Sequence, residues 1–449
     1  MNVMDDLCAP LEDAEASAGL GDAVAGKQEI VPGELWMEEL NAEPLNDLFE
    51  RAEALGLRLN ADKTRHQIVF ELLKAYASRG TLLFADGVIE MSAQGNGFLR
   101  WPRFNFRSLP QDVYISAHLE RQFSLRGGHR ICVRLRPPRD REKFFAAEEV
   151  LSIEGIPARE WKEPPEFDRL TAMHPKDRIV LETPRGVSTR AIDLVAPLGR
   201  GQRGLIVAPP RTGKTILLKD IARAILANSP ETSLILLLVD ERPEEVTDFK
   251  NSLENCEIYS STFDESPMRH TQIAELVSER SKRLVELGRH VVILLDSITR
   301  LSRGYNNLAG GKGRTMSGGI DSKALVKPKK FFSAARNTEE GGSLTILATA
   351  LIETHSRMDD LIFEEYKGTG NMEIRLDRTL AEKRLFPAIN ILESATRRDE
   401  LLYHPQEFAK VGVLRKQLAA LPPVEATEVL LHAIKATKSN AELLLSGLR

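Results

Sequence analysis

RGLIVAPPRTGKTILLKDIARAIL, residues 203–226, decides the fold. LIVA is a short apolar run, PPRTG a tight loop, and KTILLKDIARAIL places apolar residues three and four apart, the period of a helix. Strand, loop and helix in that order make a phosphate-binding loop. Its backbone N–H groups and the helix amino terminus cradle phosphate, Lys214 reaches the β- and γ-phosphates, and Thr215 holds Mg²⁺ through its hydroxyl. Gly213 lets the backbone approach closely. The pattern usually opens on glycine. Here it opens on Ala208, the next smallest residue, where the strand ends, and Pro209 and Pro210 stiffen the turn.

Three further apolar runs, at 234–239, 291–295 and 344–352, alternate with helix-length segments. That predicts an α/β domain over 190–449, with a mostly parallel sheet and helices on both faces. Two of these strands end in carboxylates, VDERPEEV and VVILLDSITR, at the edge where ligands bind in such sheets. Asp296 suits the aspartate that orients Mg²⁺ and its waters, and Glu241 the residue that orients or deprotonates the attacking water.

The amino-terminal half reads differently. Residues 1–40 hold ten acids against Lys27 alone, so the rest of this chain of net charge −4 sums to +5. With no sustained periodicity, 1–44 reads as an acidic disordered tail. Leu45, Leu48, Phe49 and Ala52 begin a helical module over 45–80, with Asn60 as a candidate cap for the helix DKTRHQIVFELLKAYASR. Between 81 and 155, five short strand-like runs punctuated by glycine and proline predict a small barrel of the oligonucleotide-binding (OB, cold-shock-like) kind. A linker rich in proline and charge, 156–189, follows. Residues 100–143 carry eleven Arg and Lys against four acids, a footprint suited to a polyanion. The apolar runs are too short to cross a bilayer and the acidic start is unlike a signal peptide. Three scattered cysteines, without CxxC or Cys/His clusters, fit a reducing cytoplasm.

RGLIVAPPRTGKT, VDERPEEVTDF, STFDESPMRH, LLDSITRLSRGYNN, MSGGIDSKAL, EEYKGTGNMEIRLDR and EKRLFPAI together resemble the transcription termination factor Rho family, from about residue 45 to the carboxyl terminus. The resemblance implies a homohexameric ring of RecA-like motor domains, with ATP between subunits and single-stranded RNA through the centre. It also implies an RNA:DNA helicase acting on the RNA polymerase elongation complex. It puts Arg211, Thr212, Gly213, Lys214, Thr215, Ile216 and Arg242 on ATP or its Mg²⁺, and Phe386 against the adenine. It makes Glu241 and Asp296 catalytic and Arg397 a finger reaching a neighbour's site, with Arg398 competing for that role. Arg314, in AGGKGRTMSGGID, and Arg357, in THSRMDD, fall in its central RNA loops, at positions where lysine is frequent.

Single-stranded RNA is held by aromatic stacking inside a basic groove. The resemblance maps Phe98, Arg100 and Tyr114 onto the primary RNA site and puts Phe144 where tyrosine is usual. The family's GFGFLR is GNGFLR here, so Asn96 replaces an aromatic, and Phe104 or Phe106 is the candidate substitute. Two rival readings are a rotary-type ring ATPase on the same motor and an RNA-binding regulator with a degenerate motor. The basic barrel opposes the first; intact Lys214, Thr215, Glu241, Asp296 and Arg397 oppose the second.

Overall fold

The computed structural model describes residues 31–60, 62–92, 95–309 and 318–448. They divide into two compact units, the first ending at Glu163 and the second beginning at Pro164.

In the first unit the predicted runs form β2 (Leu82–Met91), β3 (Gly97–Arg100), β4 (Val113–Ile115), β5 (Arg130–Arg136) and β6 (Phe145–Ile153). They pair in the order β2-β3-β4-β6-β5, and β5 returns to β2, so the barrel is closed. Closure removes the unpaired edges that a five-stranded sheet would otherwise expose.

The tail reading fails at its end. Glu34–Trp36 is a strand, β1, parallel to the start of β2, and Met37–Ala42 is a helix. The acids had masked an apolar core signal: Leu35, Met37 and Leu40 are buried with the barrel residues. Residues 1–30 lie outside the described residues. The helical module is two helices, Leu45–Ala54 and Arg65–Ser78, sharing that same core. The second is capped by Thr64 rather than Asn60. Thr64 Oγ1 accepts from the Gln67 N–H while Gln67 Oε1 accepts from the Thr64 N–H at 2.9 Å, a reciprocal arrangement that satisfies two donors at once.

The expected linker is only partly one. β7 (Ile156–Pro157) closes onto β6, whereas β8 (Ala172–Met173) and β9 (Arg178–Ile179) belong to the second unit. Short as they are, β9 pairs with β10 (Leu198–Gly199), and β8 extends the large sheet through β15 (Arg336–Thr338).

That sheet contains β11 (Arg203–Ala208), β12 (Ser233–Glu241), β13 (Glu257–Thr262), β14 (His290–Asp296), β16 (Ser343–Leu351), β17 (Met372–Arg375) and β18 (Ala395–Thr396). Its order is β13-β12-β14-β16-β11-β17-β18, parallel from β13 to β17. Ile206, Leu236, Leu238 and Leu294 share one core with helices Val187–Val195, Lys214–Asn228 and Pro423–Ala436. The helix Pro267–Glu286 packs on β12, β13 and β14 from the other side. Strands covered on both faces explain why their sequences are continuous apolar runs rather than alternating ones. β11, β12 and β14 thus deliver the phosphate loop, Glu241 and Asp296 to one edge of the sheet.

Candidate nucleotide site and RNA face

Ala208 ends β11 fully buried, opposite Leu351, and is not among the residues at positive φ. The left-handed backbone is needed later, at Arg211 (φ 65°) and at Gly213 (φ 86°), which precedes the helix Lys214–Asn228. A β-carbon on Gly213 would lie 3.4 Å from the Phe386 ring, so Phe386 covers the loop. The loop borders a cleft of about 600 Å³, lined by residues 209–216 together with Glu241, Arg242, Glu245, Arg300, Leu351 and Thr354.

Lys214 reaches into this cleft and donates to Asp296 Oδ1 at 2.6 Å, with Glu241 Oε2 3.9 Å away. Thr349 also donates to Asp296 Oδ1, at 2.7 Å, and Arg300 stands 3.5 Å from Glu241 Oε1. Both carboxylates are buried, Asp296 at 0% and Glu241 at 2% exposure. Burial, reinforced by the Asp296 charge, pushes Glu241 up to about 7 against the pull of Lys214 and Arg300. A carboxylate poised near neutrality is suited to taking a proton from water at physiological pH. Among the described residues, Asp296 Oδ2 and Glu241 Oε2 are buried without hydrogen-bond partners. Among the described residues no three His, Cys, Asp or Glu side chains converge to cage a metal. One buried carboxylate oxygen and the Thr215 hydroxyl, which lies 3.5 Å from Glu245, instead fit Mg²⁺, which keeps most of its waters and takes phosphate oxygens as ligands.

In the first unit β3 pairs Phe98 with Tyr114 of β4, and their rings lie 5.8 Å apart. The Phe144 ring is 5.3 Å from Phe98. These three aromatics form one partly exposed cluster, as stacking on bases requires. The Arg100 guanidinium lies 5.5 Å from the Phe98 ring and is held by Glu90 at 2.5 Å and by Asp112. Burial pushes Asp112 up to about 7 despite that contact. Asn96 closes the β2–β3 turn, where Ser92 N–H donates to its carbonyl at 2.8 Å. Neither proposed substitute joins the cluster: Phe106 is fully buried, and Phe104 packs edge-on against His66. Their order in the sequence does not show which way either ring turns.

Residues 85–159 match the profile of the Rho termination factor, RNA-binding domain, and residues 188–396 that of the ATP synthase alpha/beta family, nucleotide-binding domain. A curated relative from Akkermansia muciniphila, the transcription termination factor Rho of that organism, is 53% identical over 96% of this chain and 91% of its own. Its Aquifex aeolicus counterpart is 49% identical over 91% and 94%. The chain belongs to the transcription termination factor Rho family. It is therefore an RNA-binding, ATP-dependent termination factor, and the nucleotide-binding profile makes it an ATPase. A solved ATPase from the type III secretion system of pathogenic bacteria superposes with a TM-score of 0.54 at 24% identity, covering 64% of this chain and 88% of that one. This last likeness speaks for the motor fold alone.

Within this Rho family member, residues 211–216, Glu241 and Arg242 line one cleft, Asp296 meets it through Lys214 and Phe386 through Gly213, and Arg397 is not among the lining residues. Arg397 follows the edge strand β18, exposed, and has no ion pair among the described residues, whereas Arg398 is tied to Glu400 of its own chain at 2.6 Å. Arg357 is exposed at the start of the helix Arg357–Lys367. A β-carbon on Gly318 would lie 3.1 Å from its carbonyl, so the end of the glycine-rich loop abuts the second loop. Arg314 lies outside the described residues. Sequence reasoning missed Arg300, Thr349 and Glu245 on the ATP side and Glu90 and Asp112 around Arg100. Arg300 had a signal: it closely follows the strand-end Asp296 in LLDSITR and stands in the first turn of the helix Ile298–Ala309.

Proposed function

We propose that this chain is an RNA-dependent ATPase that translocates along nascent single-stranded RNA and unwinds the RNA:DNA hybrid, releasing the transcript from the RNA polymerase elongation complex. The observation that carries this reading is the Lys214, Asp296 and Glu241 constellation buried beside a phosphate loop, in a chain that also bears a barrel with a clustered aromatic face. Lys214 neutralises phosphate charge, and the phosphate loop orients the chain of phosphates. Glu241 accepts the proton of the attacking water. Thr215 and Asp296 would hold Mg²⁺, which would supply neutralisation of phosphate charge. Phe386 stacks on the base, with Arg211, Thr212, Gly213, Ile216 and Arg242 completing the nucleotide contacts.

The working form is a cytoplasmic homohexamer. Arg397, which lies outside its own cleft and is unpaired among the described residues, supplies the finger to a neighbour's site. Phe98, Arg100, Tyr114 and Phe144 hold incoming RNA, and Arg314 and Arg357 grip it in the ring.

ATP turnover with and without single-stranded RNA of varied base composition tests the reading. Stimulation by RNA that is lost in Lys214→Ala supports it. Turnover indifferent to every RNA would favour a rotary-type ATPase on the same fold, which the nucleotide-binding profile alone would also allow.

A further inference from the structure

The pairing of β12 with β13 shifts register between Val239 and Glu241, so that Val239 faces Ser261 and Glu241 faces Thr262. Asp240 is the inserted residue, with φ of 56°. In an unbroken strand Glu241 would project to the same face as Val239; the insertion takes it off that alternation, toward Lys214 and Asp296. Outside glycine and asparagine, aspartate is among the few residues that adopt this left-handed backbone, and its surroundings hold it there.

Those surroundings centre on His270, in the helix Pro267–Glu286. Its ring is buried, with Nδ1 2.9 Å from Ser261 Oγ and Nε2 3.9 Å from Asp240 Oδ1. The Phe263 N–H donates to the Glu241 carbonyl at 3.2 Å and holds the backbone just beyond the bulge. On its other side, a β-carbon on Gly304 would lie 3.6 Å from His270 Cβ. The helix Ile298–Ala309, which carries Arg300 to Glu241, therefore packs directly on His270. Ser261, His270 and Asp240 share the residue types of a hydrolase triad, but Ser261 is wholly buried and no substrate can reach it.

We propose that His270 is a positioning residue for ATP cleavage: held by Ser261, it fixes Asp240 at the bulge that turns Glu241 into the cleft. The proposal rests on Glu241 being the cleaving carboxylate. Small misplacements of such a group lower turnover without weakening substrate binding.

The test is RNA-saturated ATP turnover by the full chain. His270→Leu should lower kcat about tenfold and leave KM for ATP within about twofold. His270→Gln, whose amide can keep the hydrogen bond to Ser261 and leave a polar atom facing Asp240, should restore most of the rate. Asp240→Asn suits the left-handed backbone and should lower kcat as His270→Leu does; it decides the matter if His270→Leu does not fold. Wild-type kcat in Asp240→Asn, or a loss in His270→Leu that His270→Gln does not restore, would overturn the proposal. Glu241→Gln run alongside separates the two claims. If it is fully active, the assignment of Glu241 itself falls; if it is inactive while Asp240→Asn and His270→Leu turn over normally, only the positioning role falls.

Discussion

ATP turnover should carry an acid limb set by Glu241. In the free enzyme its burial beside Asp296 raises it to about 7, and kcat/KM reports groups of the free enzyme. Glu241 acts as a base only when ionised, so activity follows its deprotonated fraction: about 10% at pH 6, half at pH 7 and about 90% at pH 8. kcat/KM for ATP, measured at saturating RNA and constant ionic strength, should therefore rise about tenfold from pH 6 to pH 8. Arg300, 3.5 Å from Glu241 Oε1, stabilises the charged form. Arg300→Met should consequently move the limb to higher pH, whereas a limb arising from titration of the nucleotide would stay where it is. A profile flat between pH 6 and 8, or an acid limb centred near the ordinary glutamate value and unmoved by Arg300→Met, would refute the reasoning.

Phe98→Ala should weaken RNA binding by about 1–3 kcal/mol, or roughly 5- to 150-fold in Kd, measured by fluorescence anisotropy; unchanged affinity would move the primary site off this face. Mixing Arg397→Ala with Lys214→Ala subunits should restore part of the lost ATP turnover, because some interfaces then carry both intact parts. No recovery at any ratio counts against a finger acting in trans. Burial raises Glu38 from 4.5 to about 7, while its Oε1 accepts from Trp101 Nε1 and the Asp86 N–H. The folded state favours its protonated form, so that contribution is complete below about pH 4.5 and lost as pH rises through about 7. Glu38→Gln should thus gain up to about 3 kcal/mol over wild type at pH 8 relative to pH 5, read from denaturant unfolding followed by tryptophan emission. An equal difference at both pH values would show that Glu38 does not titrate on unfolding.

The sequence by itself determined what depends on local order and period. The phosphate loop was legible because strand, turn and helix are contiguous, and the five barrel strands because turn residues punctuate apolar runs. The mostly parallel sheet followed from apolar runs separated by helix-length segments. The acidic segment misled because charge hid Leu35, Met37 and Leu40, which become core residues only once β1 finds β2. The tertiary structure alone decided what depends on distance between remote residues: Thr349 on Asp296, Asp112 on Arg100, Phe106 turned inward and His270 behind Asp240. The physical reason is that hydrogen bonds, desolvation and ion pairing act over a few ångströms of space. Strand pairing and helix packing set those distances between residues as far apart in sequence as Asp296 and Thr349, and no short window of sequence contains both partners.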